Sequence, residues 1–146
     1  MKEEELKKHI DIIYDHWYET NRFYHIWAKQ YGITDLTLFT LGLIYYNKEC
    51  PQNMVTEKLC IPKQTSCSLL NGLEKKGYIT RKINAKDKRN KIITLTKKGI
   101  KFAEPILEKL EKLDTDMLAS LKDEDIVKYT NCLKELIKFM ENYSKD

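Results

Sequence analysis

The sequence predicts a mainly α-helical chain with one small β-hairpin in its middle, and three observations predict it. Apolar residues recur at three- and four-residue steps toward both ends. Between Tyr78 and Leu95 the pattern changes to two short β-compatible runs around a polar loop, and the basic charge collects in that same middle third.

At 146 residues the chain is long enough to bury roughly two-thirds of its unfolded surface, so a single unit, 1–146, is expected. Its 42% hydrophobic and 33% charged composition is that of a globular protein. No apolar run approaches the ~20 residues that span a bilayer, so no membrane partner is expected. The acidic start Glu3-Glu4-Glu5 leads into a helical pattern, not the basic start and apolar stretch of a secretory signal. A cytoplasmic location is therefore expected. Cys50, Cys60, Cys67 and Cys132 are too irregular for a disulfide framework, and none forms a C-x-x-C pair. His9, His16 and His25 all lie in the first helix, so no metal site of standard spacing is expected, and no cofactor.

The overall charge of +4 hides a segregation: residues 62–101 carry 12 Lys and Arg against Glu74 and Asp87, a net +10, which leaves −6 for the rest. Basicity so localised suits a polyanion surface.

The elements follow in order. From Glu3 to about Tyr31, Leu6, Ile10, Ile13, Trp17, Tyr24, Ile26, Trp27 and Tyr31 mark one long amphipathic helix. A helix of ~28 residues extends ~42 Å, more than a domain of this size covers alone, so part of its seam is expected to pack on another chain. After Gly32, Thr34 is suited to cap a second helix from Asp35 to about Asn47, apolar over much of its circumference and therefore central. A short helix follows from Pro51 to about Leu59, with Pro51 at the first helical position, and then another from Pro62 to about Lys76, closed by Gly77 as a left-handed cap. Tyr78–Ile83 and Lys91–Leu95 are the hairpin strands. Helical spacing resumes at Lys97, with Pro105 a candidate kink, and a last helix from near Asp123 spaces Ile126, Tyr129, Leu133, Leu136, Met140 and Tyr143 along one seam.

Helix, short turn, helix and hairpin is the winged helix-turn-helix order, in which the second helix enters the major groove of double-stranded DNA and the hairpin loop reaches the minor groove. On the helix from Pro62, Ser66, Leu69, Leu70 and Leu73 fall inward. The outward face presents Gln64, Ser68, Asn71 and Lys75, flanked by Thr65 and Cys67, with Lys63 near the helix start. Gln and Asn can pair with adenine edges, Ser and Thr can bond bases or phosphates, and Lys63 can join the helix N-terminus on a phosphate. The loop Lys86-Asp87-Lys88-Arg89-Asn90-Lys91 has the chemistry of a minor-groove probe, with Asp87 placed to hold Arg89 or brace the turn. Arg81 and Lys82 are further candidates for phosphate contacts.

Asp87-Lys88-Arg89, followed by Leu95-Thr96 and Gly99, resembles the D-x-R…L-T-x-x-G wing signature of the multiple-antibiotic-resistance-regulator (MarR) family. Leu73-Glu74-Lys75-Lys76-Gly77-Tyr78-Ile79 with Arg81 resembles its L-E-x-x-G-x-[IV]-x-R segment. The resemblance implies a winged helix-turn-helix over 34–99, flanked by dimerisation helices over 1–31 and 100–146. It also implies a homodimer that binds a pseudo-palindromic operator and represses. Many members carry Arg where this chain has Ser68, and a basic residue where it has Ile92, so operator sequence does not carry over.

Members of this kind often respond to small aromatic or lipophilic molecules, and His16, Trp17, Tyr18, Arg22, Trp27 and Phe39 are the candidate pocket residues; aromatics at such spacing more commonly form core. Cys67, among lysines, is the candidate for a thiol-redox alternative. A winged-helix module that binds protein partners instead of DNA is the other. An enzyme is not expected, for the chain has no nucleophile elbow, phosphate-cradling glycine loop or metal motif.

Overall fold

The structure, a computed structural model, describes residues 2–85 and 90–143. Its elements are α1 (Glu3–Gln30), α2 (Asp35–Asn47), β1 (Cys50–Pro51), α3 (Gln52–Lys58), α4 (Lys63–Lys75), β2 (Ile79–Ile83), β3 (Lys91–Leu95), α5 (Lys97–Ala119) and α6 (Asp123–Tyr143). The strands form an antiparallel sheet in the order β1-β3-β2, with Cys50 opposite Ile93 and Arg81 also opposite Ile93 from the other side. This is the mainly helical fold with a small sheet that the sequence predicts.

Local chemistry sets the helix ends. Thr34 caps α2, its Oγ1 accepting from the Thr37 N–H at 3.1 Å. Three helices stop the same way, with a left-handed residue after the C-cap and paired bonds back into the last turn. At α1, Gly32 has φ +68° and Ile33 N donates to Ala28 O at 3.3 Å; at α4, Gly77 has φ +73° and Tyr78 N donates to Leu73 O at 3.0 Å. At α3 the left-handed residue is Cys60, φ +48°, while Ile61 N donates to Thr56 O at 3.2 Å. A Cβ in this conformation costs about 1–2 kcal/mol. Cys60→Gly is therefore expected to raise stability by about 0.5–1 kcal/mol, after the entropy that glycine adds to the unfolded chain, as read by urea unfolding. A destabilised variant would contradict the cap assignment.

The core gathers around α2, as expected: Leu38, Leu41 and Ile44 are buried with Val55 of α3, Leu70 and Leu73 of α4, Ile79 of β2 and Ile93 of β3. Residues three apart on α2 point to one side, and α2 packs on β1 and β3 of the sheet.

The structure departs from the sequence expectations in two places. Pro51 is not the first helical residue of α3 but its N-cap, φ −62° and ψ 139°, and pairs across β1 with Ile92. Pro62 likewise caps α4 from outside. In both cases the pyrrolidine ring fits extended backbone as readily as helix. The chain divides into two compact units, Met1–Ile106 and Leu107–Asp146. The boundary falls within α5, which runs through Pro105. The 34–99 block lies wholly in the first unit. No described helix is long and apolar enough to cross a membrane.

Candidate nucleic-acid interface

Helix α4 is two-faced. Ser66, Leu70 and Leu73 are buried and Leu69 is half-buried, which turns Lys63, Gln64, Thr65, Ser68, Asn71 and Lys75 outward, with half-buried Cys67 at the edge. The outward residues carry amides, hydroxyls and ammonium groups, all able to reach a polyanion, and the inward ones anchor the helix so that this face is held rigidly. Of the predicted wing residues, Lys86, Asp87, Lys88 and Arg89 lie outside the described residues. Lys82 and Lys91 are exposed on the paired strands β2 and β3, so cations flank the approach to that loop.

Asn90 has structural work. Its Oδ1 accepts from the backbone N–H of Asn53 at 3.4 Å and from Lys91 N at 3.1 Å, and its Nδ2 donates to Asn53 Oδ1. Asn53 Nδ2 in turn donates to Glu57 Oε1 at 2.9 Å. The base of the hairpin is thereby tied to the first turn of α3. Asn84 N donates to Asn90 O at 3.0 Å and closes the loop stem.

Arg81 does not point freely outward either. Its Nε donates to Glu74 Oε2 at 3.1 Å, and its Nη2 donates both to Glu74 and, at 2.6 Å, to Asn71 Oδ1. The hydrogen bond from Arg81 is the main cause that holds the Glu74 carboxyl below the usual carboxylate range. The pair thus ties β2 to the last turns of α4. A depressed carboxylate stabilises the fold at neutral pH and loses that contribution as pH falls through its folded pKa.

Between α3, α4 and the strands lies a cleft of about 590 Å³, lined by Gln52, Asn53, Lys63, Asn71, Arg81 and Lys91 among others. Gln52 and Asn53 went unnoticed in the sequence. Asn53 meets a partner 37 residues away, a pairing that no local pattern encodes. The junction at the far end of the hairpin is better marked: Thr96 Oγ1 accepts from Gly99 N at 3.0 Å and donates to Gly77 O at 2.7 Å, so one hydroxyl caps α5 and holds the turn after α4.

The thiols differ in environment. Cys50 is fully buried, and burial pushes its thiol up to about 11, so it is almost all protonated at neutral pH. Cys67 accepts a long contact from Gln52 Nε2 at 3.8 Å, and Cys60 is exposed. With a disulfide reagent at pH 8, Cys60 is expected to react promptly and Cys50 only on unfolding. Rapid labelling of Cys50 in the folded protein would contradict this.

The candidate effector residues fall in two groups. Trp17 and Tyr18 stack edge-on at 5.0 Å and are exposed. Trp27 sits in a ring ladder with Tyr31 and Phe23, which continues through Tyr24 to Phe39. The Trp27 Nε1–H is buried with no acceptor among the described residues. Arg22 pairs with Glu19 at 3.3 Å, and His16 is exposed. A separate hollow of about 500 Å³ is lined by Ile44, Tyr45, Tyr46, Leu95, Ile100 and Glu104, residues outside the candidate set.

A buried helix supporting a short helix pair, the second helix polar on its outer face and followed by a small antiparallel sheet, is a winged helix-turn-helix. The description "MarR family" matches residues 31–90. The HTH-type transcriptional regulator YwhA of Bacillus subtilis is 30% identical over 87 residues, which is 60% of this chain and 63% of that protein. SarZ of Staphylococcus aureus, also an HTH-type transcriptional regulator, is 31% identical over 85 residues, 58% of this chain and 57% of that protein. The matched stretch thus spans about three fifths of the length of these curated relatives. Among solved structures, S. aureus MepR in its DNA-binding conformation matches with TM-score 0.76 and 25% identity, covering 92% of this chain and 98% of that one. The regulator MarR from Oenococcus oeni matches with TM-score 0.66 and 27% identity, over 91% and 98% of the two chains. Residues 31–90 thus match the MarR family, and the fold is similar to that of MarR-type regulators.

Proposed function

We propose that the protein is a cytoplasmic transcriptional repressor that binds a pseudo-palindromic operator as a homodimer and is released by a small aromatic or lipophilic effector. The observation that carries the DNA-binding part is the outward face of α4, Gln64 to Lys75, together with exposed Lys82 and Lys91 on the paired strands β2 and β3. The net charge of +10 over residues 62–101 supplies the phosphate attraction. S. aureus MepR, which matches with TM-score 0.72 and 25% identity over 88% of this chain, is known in complex with DNA.

Apolar exposure on the terminal helices supports the dimer. Helix α6 buries no residue within its own chain, and α1 buries only Ala28 of its 28 residues. Faces this apolar are unusual on a monomer surface and mark association. For the effector, the unpartnered Trp27 Nε1–H beside a ladder of rings supports a ligand that offers an aromatic face and an acceptor.

Arg89→Ala tests the wing. Operator affinity is expected to fall, and the slope of log affinity against log salt to shrink by about one. An unchanged slope and affinity would show that the wing does not touch DNA, and would favour a partner-binding winged helix.

A further inference from the structure

Asn71 and Arg81 meet between α4 and β2. A guanidinium only donates hydrogen bonds, so the group of Asn71 that faces it is the amide oxygen. Arg81 Nη2 donates to Asn71 Oδ1 at 2.6 Å, a charge-assisted bond. Glu74 holds the same guanidinium through Nε and Nη2, and the Arg81 side chain is only 11% exposed. The amide is therefore gripped at its oxygen by a cation that is itself gripped. Its other end, Nδ2, makes no hydrogen bond among the described residues, and Asn71 is exposed at the edge of the cleft between α3, α4 and the strands.

We infer that Arg81 is a positioning residue that turns the Asn71 amide nitrogen toward DNA, so that Asn71 engages acceptor atoms, a guanine N7/O6 edge or a phosphate oxygen, and does not pair with adenine. Pairing with adenine needs the amide oxygen and nitrogen both aimed at the base, whereas here the oxygen is drawn back to β2. A guanine edge and a phosphate both offer acceptors alone. The inference rests on the DNA-binding function proposed above. It replaces two sequence expectations, Asn71 as an adenine partner and Arg81 as a phosphate contact.

The test uses the full chain and DNA duplexes that differ at single base pairs, with Asn71→Ala, Asn71→Asp, Arg81→Ala and the Asn71→Ala/Arg81→Ala double variant, each first shown folded by its melting curve. Asn71→Asp keeps an oxygen for Arg81 and loses the donors. It is expected to weaken binding at least as much as Asn71→Ala, about tenfold, the worth of one polar contact. The double variant is expected to bind no more than about twofold worse than Arg81→Ala alone, because the two residues act as one unit. If the acceptor is guanine, preference for that base at one position in each half-site vanishes in all four variants. If it is a phosphate, affinity falls alike on every duplex and base preference stays as it was. Either outcome supports the inference. An adenine preference that depends on Asn71, wild-type binding by Asn71→Asp, or additive losses in the double variant would overturn it. Failure of the wild-type chain to bind any duplex would instead overturn the DNA-binding function, and this inference with it.

Discussion

Replacing Gly99 with alanine is expected to lower stability by about 3 kcal/mol, the upper part of the range for overpacking a tight interior. Gly99 is buried in the first turn of α5, and a Cβ built there would sit 1.9 Å from the carbonyl oxygen of Tyr78 and 2.8 Å from its carbonyl carbon. Neither atom belongs to a side chain that can swing away. The Tyr78 carbonyl also accepts from Thr96 N at 2.9 Å, so moving it would pull on the cap of α5. For a chain of this size each kcal/mol corresponds to roughly 2–4 °C in Tm, so thermal unfolding is expected to show a loss of about 6–12 °C. Gly72→Ala is the control. It lies within α4 with no atom within 4 Å of the added methyl, and alanine there is expected to stabilise by about 0.5–1 kcal/mol. Equal melting of Gly99→Ala and the unmodified protein would mean that α5 does not meet the turn after α4 as described.

The second large effect concerns assembly. Leu133 and Leu136 of α6 are 40% and 49% exposed in the single chain, Tyr129 on the same seam is 47% exposed, and Met140 and Tyr143 are still more open. A dimer that covers these side chains gains roughly 1.5–3 kcal/mol for each leucine buried, and each substitution acts in both subunits. Changing both to Asp also places carboxylates where burial is unfavourable. Dimerisation is expected to weaken at least a thousandfold, giving a monomer at micromolar concentration by sedimentation equilibrium. Operator affinity falls with it, since a lone half-site contact loses the second subunit's contribution. A variant that remains dimeric would place the interface elsewhere.

Much of the fold was legible because its signals are local. The seam of α1, the Thr34 cap and Gly77 each set a boundary that the structure keeps. The end of α3 near Leu59 was legible too, but its left-handed residue was not, for that position falls on Cys60, a residue with no turn preference of its own. The two-residue strand β1 was missed because Cys50-Pro51 has no period to detect; its identity as a strand comes only from its pairing with β3.

The site was legible in outline and not in wiring. Composition and helical spacing placed the outward face of α4, since a buried face of Ser66, Leu70 and Leu73 dictates the opposite one. The bonds from Arg81 to Asn71 and from Asn90 to Asn53 cross 10 and 37 residues. A sequence says that such groups are polar, but which polar group they spend their hydrogen bonds on is decided by the packing of the strands against α3 and α4. For that reason two residues expected to touch DNA act first as braces.

Selection of bound duplexes from a random pool tests the central claim most directly, that two copies of the outward α4 face read an operator together. The account predicts enrichment of a pseudo-palindrome whose half-sites lie about 10–10.5 base pairs apart, one turn of DNA, bound by two chains per duplex. Enrichment of no symmetric site, or retention of DNA without sequence preference, would contradict it.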